Sequence, residues 1–137
     1  MHSILVNDYM DNNPHAIKAS KTVRDVVKFL LKEKISGAPV VDDANHLVGF
    51  VSEKDCISEV LNDAFYCEES PSVTSIMSND VITASPESSV VELAQTMAKN
   101  KPRHYPVVKS GVLVGMISRD DVLNAIIENG DDCYLHH

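Results

Sequence analysis

Apolar residues recur with the period of a helix in both halves of this chain. They stand at positions i, i+3, i+4, i+7 and i+8, the stripe of a helix that is buried along one side. The stripes are Val23, Val26, Val27, Leu30 and Leu31 in the first half and Val90, Leu93, Ala94, Met97 and Ala98 in the second. Each stripe follows a hydroxyl residue and a carboxylate three positions apart, Thr22 with Asp25 and Ser89 with Glu92, which favour a helix start. We therefore predict one amphipathic helix in each half.

Behind each predicted helix the pattern changes to that of short strands. Runs rich in β-branched residues at 39–41 and 47–51 flank a polar turn, and runs at 107–108 and 112–117 flank a second turn that contains Gly111. This predicts a hairpin in each half. A further helical stripe follows each hairpin: Cys56, Ile57, Val60 and Leu61, then Val122, Leu123, Ile126 and Ile127. Extended segments at 16–19 and 81–84 complete two β-α-β-β-α units.

The two halves are copies of one another. Val6 and Val73, like Pro39 and Pro106, are separated by 67 residues, and the offset becomes 66 after the first turn, which is one residue longer. We predict a first repeat in residues 1–61, a linker at 62–72, a second repeat at 73–127 and a flexible tail at 128–137. Since one such unit buries too little surface alone, we expect an α+β fold in which both repeats pack as one pseudo-twofold module. Cys56 occupies the position of Val122, which indicates a small core residue rather than a reactive thiol.

Composition and charge exclude several classes of protein. With 137 residues, 44% hydrophobic and 23% charged, the chain has the composition of a folded domain. A formal net charge of −8 argues against binding to nucleic acid or to an anionic membrane surface. No apolar run approaches the roughly 20 residues that cross a bilayer, and the first residues lack a basic, apolar leader. We expect a cytoplasmic protein, and three cysteines without framework spacing favour reduced thiols.

A short motif, Gly-x-x-Ser-x-x-Asp, follows the last strand of each hairpin. It occurs as Gly49, Ser52 and Asp55 and again as Gly115, Ser118 and Asp121. The first strand of each hairpin contains a proline followed by two valines, in GAPVV and YPVV. With the repeated periodicities, these motifs resemble the cystathionine-β-synthase (CBS) domain family, whose domains occur as tandem pairs. The resemblance implies two clefts between facing repeats that bind adenosine-containing ligands such as AMP, ATP or S-adenosylmethionine, and association of two pairs into a dimer.

The resemblance also implies roles for individual residues. In that family the aspartate of the motif holds the ribose diol, the serine lies near ribose and phosphate, and apolar residues around the first strand and the proline enclose the adenine. The candidates in the second repeat are Ile82, Thr83, Arg103, His104, Tyr105, Pro106, Ser118, Arg119 and Asp121. The candidates in the first repeat are Ile17, Lys18, Ala38, Pro39, Ser52, Lys54 and Asp55. Serine and aspartate at this spacing before a helix also form a capping box, and the structural and ligand-binding interpretations are compatible.

The two repeats differ in their basic residues. Arg103 and His104 precede the proline of the second repeat, whereas Ser36 and Gly37 stand there in the first. Because a charged hydrogen bond to phosphate is strong, we expect the site that uses Asp121 to be the tighter one. The alternative for Arg103 is a solvated loop residue that pairs with a nearby acid.

Function is predicted from these features and from what the sequence lacks. It contains no P-loop, G-x-S-x-G or G-x-G-x-x-G string, so we expect no enzyme and no cofactor. The hypothesis is a ligand-sensing module for an adenine nucleotide, dimeric through the second helices; the alternative is a structural interaction module with empty clefts. Cys133, His136 and His137 are potential metal ligands, but a polar terminal tail is a poor site and we expect no bound metal. Phe65, Tyr66 and Cys67 in the linker suggest a hydrophobic tether.

Overall fold

The computed structural model describes residues 4–61 and 70–129. The chain divides into two compact units. The first-repeat unit is His15–Val81, and the second-repeat unit combines Met1–Pro14 with Ile82–His137. The division therefore follows the predicted duplication, except that a short segment ahead of each repeat is counted with the other repeat.

The first-repeat unit follows the predicted order of elements. Strand β1 (Ile17–Lys18) precedes helix α1 (Val23–Glu33), the hairpin of β2 (Gly37–Val41) and β3 (Leu47–Ser52), and helix α2 (Glu53–Leu61). The sheet order is β1-β2-β3, with β1 parallel to β2 and β3 antiparallel to it. Thr22 and Asp25 form the predicted capping box at the start of α1. Of the predicted linker, Pro71 accepts a backbone hydrogen bond from Val23, which ties residues 70–72 to the same helix start.

The second-repeat unit contains helix α3 (Val90–Lys99), strands β4 (His104–Lys109) and β5 (Val112–Ser118), and helix α4 (Arg119–Asn129). Its hairpin turns at Ser110 and Gly111, both with positive φ, which matches the right-handed twist of the flanking strands. A register shift follows Val107 in this hairpin and Val40 in the other, so the irregularity is duplicated as well. Helix α4 continues through Asn129, two residues into the segment expected as tail. The α+β fold class and the duplication are confirmed.

The predicted strand at 81–84 is wrong for all but its last residue. Ala84 alone pairs with Val107, donating to Pro106 O and accepting from Val108 N, each at 2.9 Å. In the first repeat the pairing extends further, because Ala19 N donates to Val41 O. Pro86 occupies the position of Ala19 in the second repeat and has no N–H to donate. One proline therefore reduces the strand to a bridge.

Two short 3-10 helices complete the cores of the units. Val6–Asp8 lies in the second-repeat unit and Val73–Ser75 lies in the first-repeat unit. Val6 and Val73 are both fully buried. Asp11 exchanges two backbone hydrogen bonds with Met116 on β5, and Ser78 does the same with Phe50 on β3. Each repeat is thus finished by the segment that precedes the other repeat in sequence.

The buried residues are almost entirely apolar. Cys56 is buried in the first-repeat core, as predicted. Burial, assisted by the charges of Asp55 and Glu53, raises the pKa of its thiol, so the thiol stays protonated and unreactive. Tyr105 is fully buried in the second-repeat core, and within the described residues its hydroxyl has no hydrogen-bond partner. Burial also raises the pKa of this tyrosine, so the hydroxyl is neutral.

Replacing Gly115 with alanine should destabilise the protein by about 1–3 kcal/mol, the usual cost of overpacking. A Cβ at this position would lie 2.7 Å from Met10 Sδ and 2.8 Å from Asp11 O. The methionine side chain can move, but the backbone oxygen is held by its bond to Met116. Urea denaturation measures the change, and Asn124→Ala, on the exposed side of α4, should stay within about 0.5 kcal/mol of wild type. Equal stability of G115A and wild type would contradict the close approach.

Tyr105→Phe should leave stability unchanged or raise it by up to about 1 kcal/mol, since it removes a buried hydroxyl that forms no hydrogen bond. Tyr9→Phe is the matched control. The Tyr9 hydroxyl donates to Glu128 and accepts from Asn129, so its loss should lower stability. The two denaturation midpoints should shift in opposite directions, and a clear loss for Y105F would show that its hydroxyl is bonded in solution.

Candidate functional site

The start of helix α4 is formed by a reciprocal pair of side-chain hydrogen bonds. Ser118 N donates to Asp121 Oδ2 at 2.9 Å, and Asp121 N donates to Ser118 Oγ at 3.2 Å. This is the capping box that the sequence predicted. The box uses only one oxygen of the carboxylate. Among the described residues, Asp121 Oδ1 has no hydrogen-bond partner, so it can accept from a bound hydroxyl.

The start of helix α2 repeats this arrangement with one difference. Ser52 N donates to Asp55 Oδ2 and Asp55 N donates to Ser52 Oγ, at 2.9 and 3.2 Å. In addition, the Ser52 hydroxyl donates to the same carboxylate oxygen at 3.0 Å. The Ser118 hydroxyl makes no such bond to Asp121. Ser118 therefore keeps a donor that Ser52 has already used.

Backbone bonds bring the basic segment of the second repeat to the same helix start. Arg119 N donates to Arg103 O at 3.0 Å, and His104 is the cross-strand neighbour of Ser118. Arg103 and His104 are both exposed. In the first repeat Glu53 N donates to Ser36 O, and Gly37 faces Ser52. The two sites thus share one backbone but differ in side chains, with arginine and histidine replaced by serine and glycine.

The guanidinium of Arg119 is engaged in holding the loop before β4. It donates to the carbonyl oxygens of Asn100 and Lys101, at 3.2 and 3.0 Å. This loop leads directly into Arg103. In this arrangement Arg119 supports the position of Arg103 through the backbone, a role that sequence reasoning did not anticipate.

The remaining candidates of the second repeat lie along β4. Ala84 pairs with Val107 in parallel, so Ile82 and Thr83 run beside the first residues of that strand, at the end occupied by His104 and Ser118. Ile82 and Thr83 are exposed. Tyr105 and Pro106 are buried, so their side chains shape the core beneath this surface.

In the first repeat, several candidates are core residues. Ile17, Ala38 and Pro39 are buried, whereas Lys18 and Lys54 are exposed. The offset of 67 residues places His15 and Ala16, not Ile17 and Lys18, at the positions of Ile82 and Thr83. The sequence contained this signal, because the same offset aligns Thr22 with Ser89.

Other predicted features are absent from, or lie outside, the described part of the chain. No described helix has the length and apolar character needed to cross a bilayer. The described residues contain no group of three or more potential metal ligands. The linker residues Phe65, Tyr66 and Cys67 and the tail residues Cys133, His136 and His137 lie outside the described residues.

Comparison with known proteins gives the family. The CBS domain profile matches residues 6–62 and 73–128. The uncharacterised protein MJ1225 of Methanocaldococcus jannaschii is 30% identical over 132 residues, which span 96% of this chain and 45% of that relative.

Two solved structures show the same fold. CBSX2, a CBS-pair protein of Arabidopsis thaliana, was solved in complex with AMP; it is 28% identical, with a TM-score of 0.78 over 90% of this chain and 96% of CBSX2. The CBS domain pair of protein MJ0100, in complex with 5′-methylthioadenosine and S-adenosyl-L-methionine, is 25% identical, with a TM-score of 0.73 over 88% of this chain and 98% of that one. With two profile matches and this shared fold, the chain belongs to the CBS domain family as a tandem pair.

Proposed function

We propose that this chain is a non-catalytic regulatory module that binds an adenine nucleotide, AMP or ATP-like, and transmits its occupancy to a partner. The observation that carries the proposal is the start of α4. There a carboxylate oxygen without a partner, a serine hydroxyl and an exposed arginine are brought together by backbone bonds. That relatives in the family were solved with AMP and with S-adenosyl-L-methionine supports an adenosine ligand.

The ribose is assigned to Asp121. A carboxylate can accept hydrogen bonds from both hydroxyls of a cis-diol, and bonds to a charged acceptor are stronger than neutral ones. The capping box holds this carboxylate in place before any ligand arrives, so little side-chain entropy is lost on binding.

The phosphate is assigned to Arg103 with the start of α4. The positive end of the helix dipole favours an anion there, and Arg103 adds a full charge. Its backbone carbonyl is bonded to the first residue of the helix, which keeps the side chain near this end. Ile82, exposed beside the first residues of β4, provides an apolar contact for the base.

The two sites are proposed to be unequal. Both have the aspartate, so the ribose contributes similarly to each. The first-repeat site has Ser36 and Gly37 where the second has Arg103 and His104, and its serine hydroxyl is already bonded to Asp55. One arginine–phosphate contact contributes roughly 1.5–3 kcal/mol, so we propose about ten- to a hundredfold tighter binding at the second-repeat site.

Catalysis finds no support in this geometry. Asp55 and Asp121 are each engaged in a capping box, and neither is bonded to a nucleophile other than its own capping serine. We therefore propose that a bound nucleotide is retained without conversion.

AMP should raise the melting temperature by several degrees, because a ligand at a hundredfold excess over its Kd adds about 2.7 kcal/mol to stability. Asp121→Ala should abolish most of this shift and Asp55→Ala much less. The two substitutions remove equivalent helix caps, each costing about 0.5–2 kcal/mol, so they are matched in their structural effect. Calorimetry on the same variants gives the affinities.

Additional arms separate the contacts. Arg103→Ala should weaken AMP more than adenosine, which lacks the phosphate. ATP incubated with the protein should stay intact. Two equivalent sites per chain, or a larger loss from D55A than from D121A, would contradict the assignment, and product release that is lost in Asp121→Asn would indicate an enzyme.

We further propose a homodimer formed through helices α2 and α4. Both helices expose large apolar side chains: Ile57 and Leu61 on α2, and Leu123 and Ile127 on α4, each about 60% exposed or more. Such side chains on two helices are more than a monomer needs at its surface. The same observation supports the alternative function, a purely structural dimerisation module with empty sites, which would form this dimer without responding to AMP.

Leu123→Glu should shift the protein from dimer to monomer at tens of micromolar, as measured by light scattering, because it places a charge in the proposed interface. Ile126, the other candidate on α4, is partly buried against the core, so a charge there would also disturb the fold. Asn124→Glu, also exposed on α4, is the control for added charge. A wild-type protein that is monomeric would contradict the dimer.

A further inference from the structure

A pocket in the first-repeat unit has a chemistry that the proposed nucleotide sites do not use. It has a volume of about 290 Å³ and is bounded by strand β1 and helix α1. Three lysines, Lys18, Lys21 and Lys28, line it together with Asp25 and Phe29. Neither Ser52 nor Asp55 contributes to its wall. Three ammonium groups therefore converge on one cavity in a chain whose net charge is −8.

The positive charge of this pocket is not neutralised by the described residues. None of the three lysines has a carboxylate oxygen of the described residues within 4 Å of its Nζ; Lys18 donates instead to the carbonyl of Asp42, at 3.4 Å. Asp25 is engaged in the capping box, whose hydrogen bonds from Thr22 lower the pKa of its carboxyl. It is ionised near pH 7, and the four groups carry a net charge of +2.

The fold does not require these lysines. At an offset of 67 residues the second repeat has Ser85, Ser88 and Gln95 in their places, while Glu92 corresponds to Asp25. Helix α3 forms there, so only the carboxylate of this set recurs. The three lysines are a property of the first repeat alone, and a ligand explains their convergence better than folding does.

We propose that this pocket binds a small phosphomonoester through its phosphate dianion, at a site distinct from those of Asp55 and Asp121. A phosphomonoester has a second pKa near 6, so at pH 7 and above it is mostly a dianion that matches the net charge of the pocket. Lysine ammonium groups are common phosphate ligands. The volume, near the lower end of small-molecule sites, leaves room for an organic group against Phe29.

Titration of the full chain with phenyl phosphate, followed by amide NMR, tests the proposal. Shifts should concentrate in residues 16–29, and phenyl sulfate, of similar shape but with one charge, should bind at least tenfold more weakly. The double variant Lys21→Gln/Lys28→Gln should weaken phenyl phosphate at least tenfold. The control Lys32→Gln/Lys99→Gln makes the same change of charge at exposed positions outside the pocket and should stay within twofold of wild type.

The result is independent of the nucleotide proposal. Asp121→Ala should leave phenyl phosphate binding unchanged, and failure of AMP to bind would not affect this site. Equal weakening by the control variant, equal binding of phenyl sulfate, or shifts confined to the starts of α2 and α4 would overturn the phosphate pocket. Unchanged melting temperatures of both double variants confirm that folding is not the cause of any loss.

Discussion

Each unit depends on the pairing of a short crossing segment with the edge of a hairpin. Asp11 pairs with Met116 and Ser78 pairs with Phe50, in each case through two backbone hydrogen bonds. These bonds satisfy an edge that would otherwise be open, and they seat Val6 and Val73 in the cores. Since the same hairpin strands lead into α4 and α2, the position of each candidate site follows from this pairing.

The Gly-x-x-Ser-x-x-Asp motif therefore has a structural role that precedes any ligand. Gly115 lets the crossing backbone approach, and Ser118 with Asp121 caps the helix that follows. Gly49, Ser52 and Asp55 do the same in the first repeat. A protein that had lost ligand binding would still gain stability from these residues. Their presence alone does not identify an occupied site, and the neighbouring residues carry the specificity.

Duplication gave two similar backbones whose exposed positions have diverged. The second repeat carries Arg103 and His104 at the start of its helix, whereas the first carries three lysines beside α1. Neither set is needed for the fold, because each is absent from the other repeat. The positive charge of an acidic chain is thus concentrated at two different places, which is how one scaffold can offer two different anion-binding surfaces.

The helices, the hairpins, the duplication, the caps and the burial of Cys56 could all be predicted from the sequence. They depend on periodicity and hydrogen bonding within a few residues, and the internal repeat supplied a second reading of each. The loss of a strand at Pro86 was also visible in principle, because a missing N–H is a local property.

Three features were decided by tertiary structure: the exchange of the crossing segments, the engagement of Arg119 with the loop before Arg103, and the burial of Tyr105 without a partner for its hydroxyl. They join residues far apart in sequence or on separate elements. Which surface buries Val6, or which carbonyls meet a guanidinium, depends on the free energy of packing the whole unit, and no local pattern of residues encodes it.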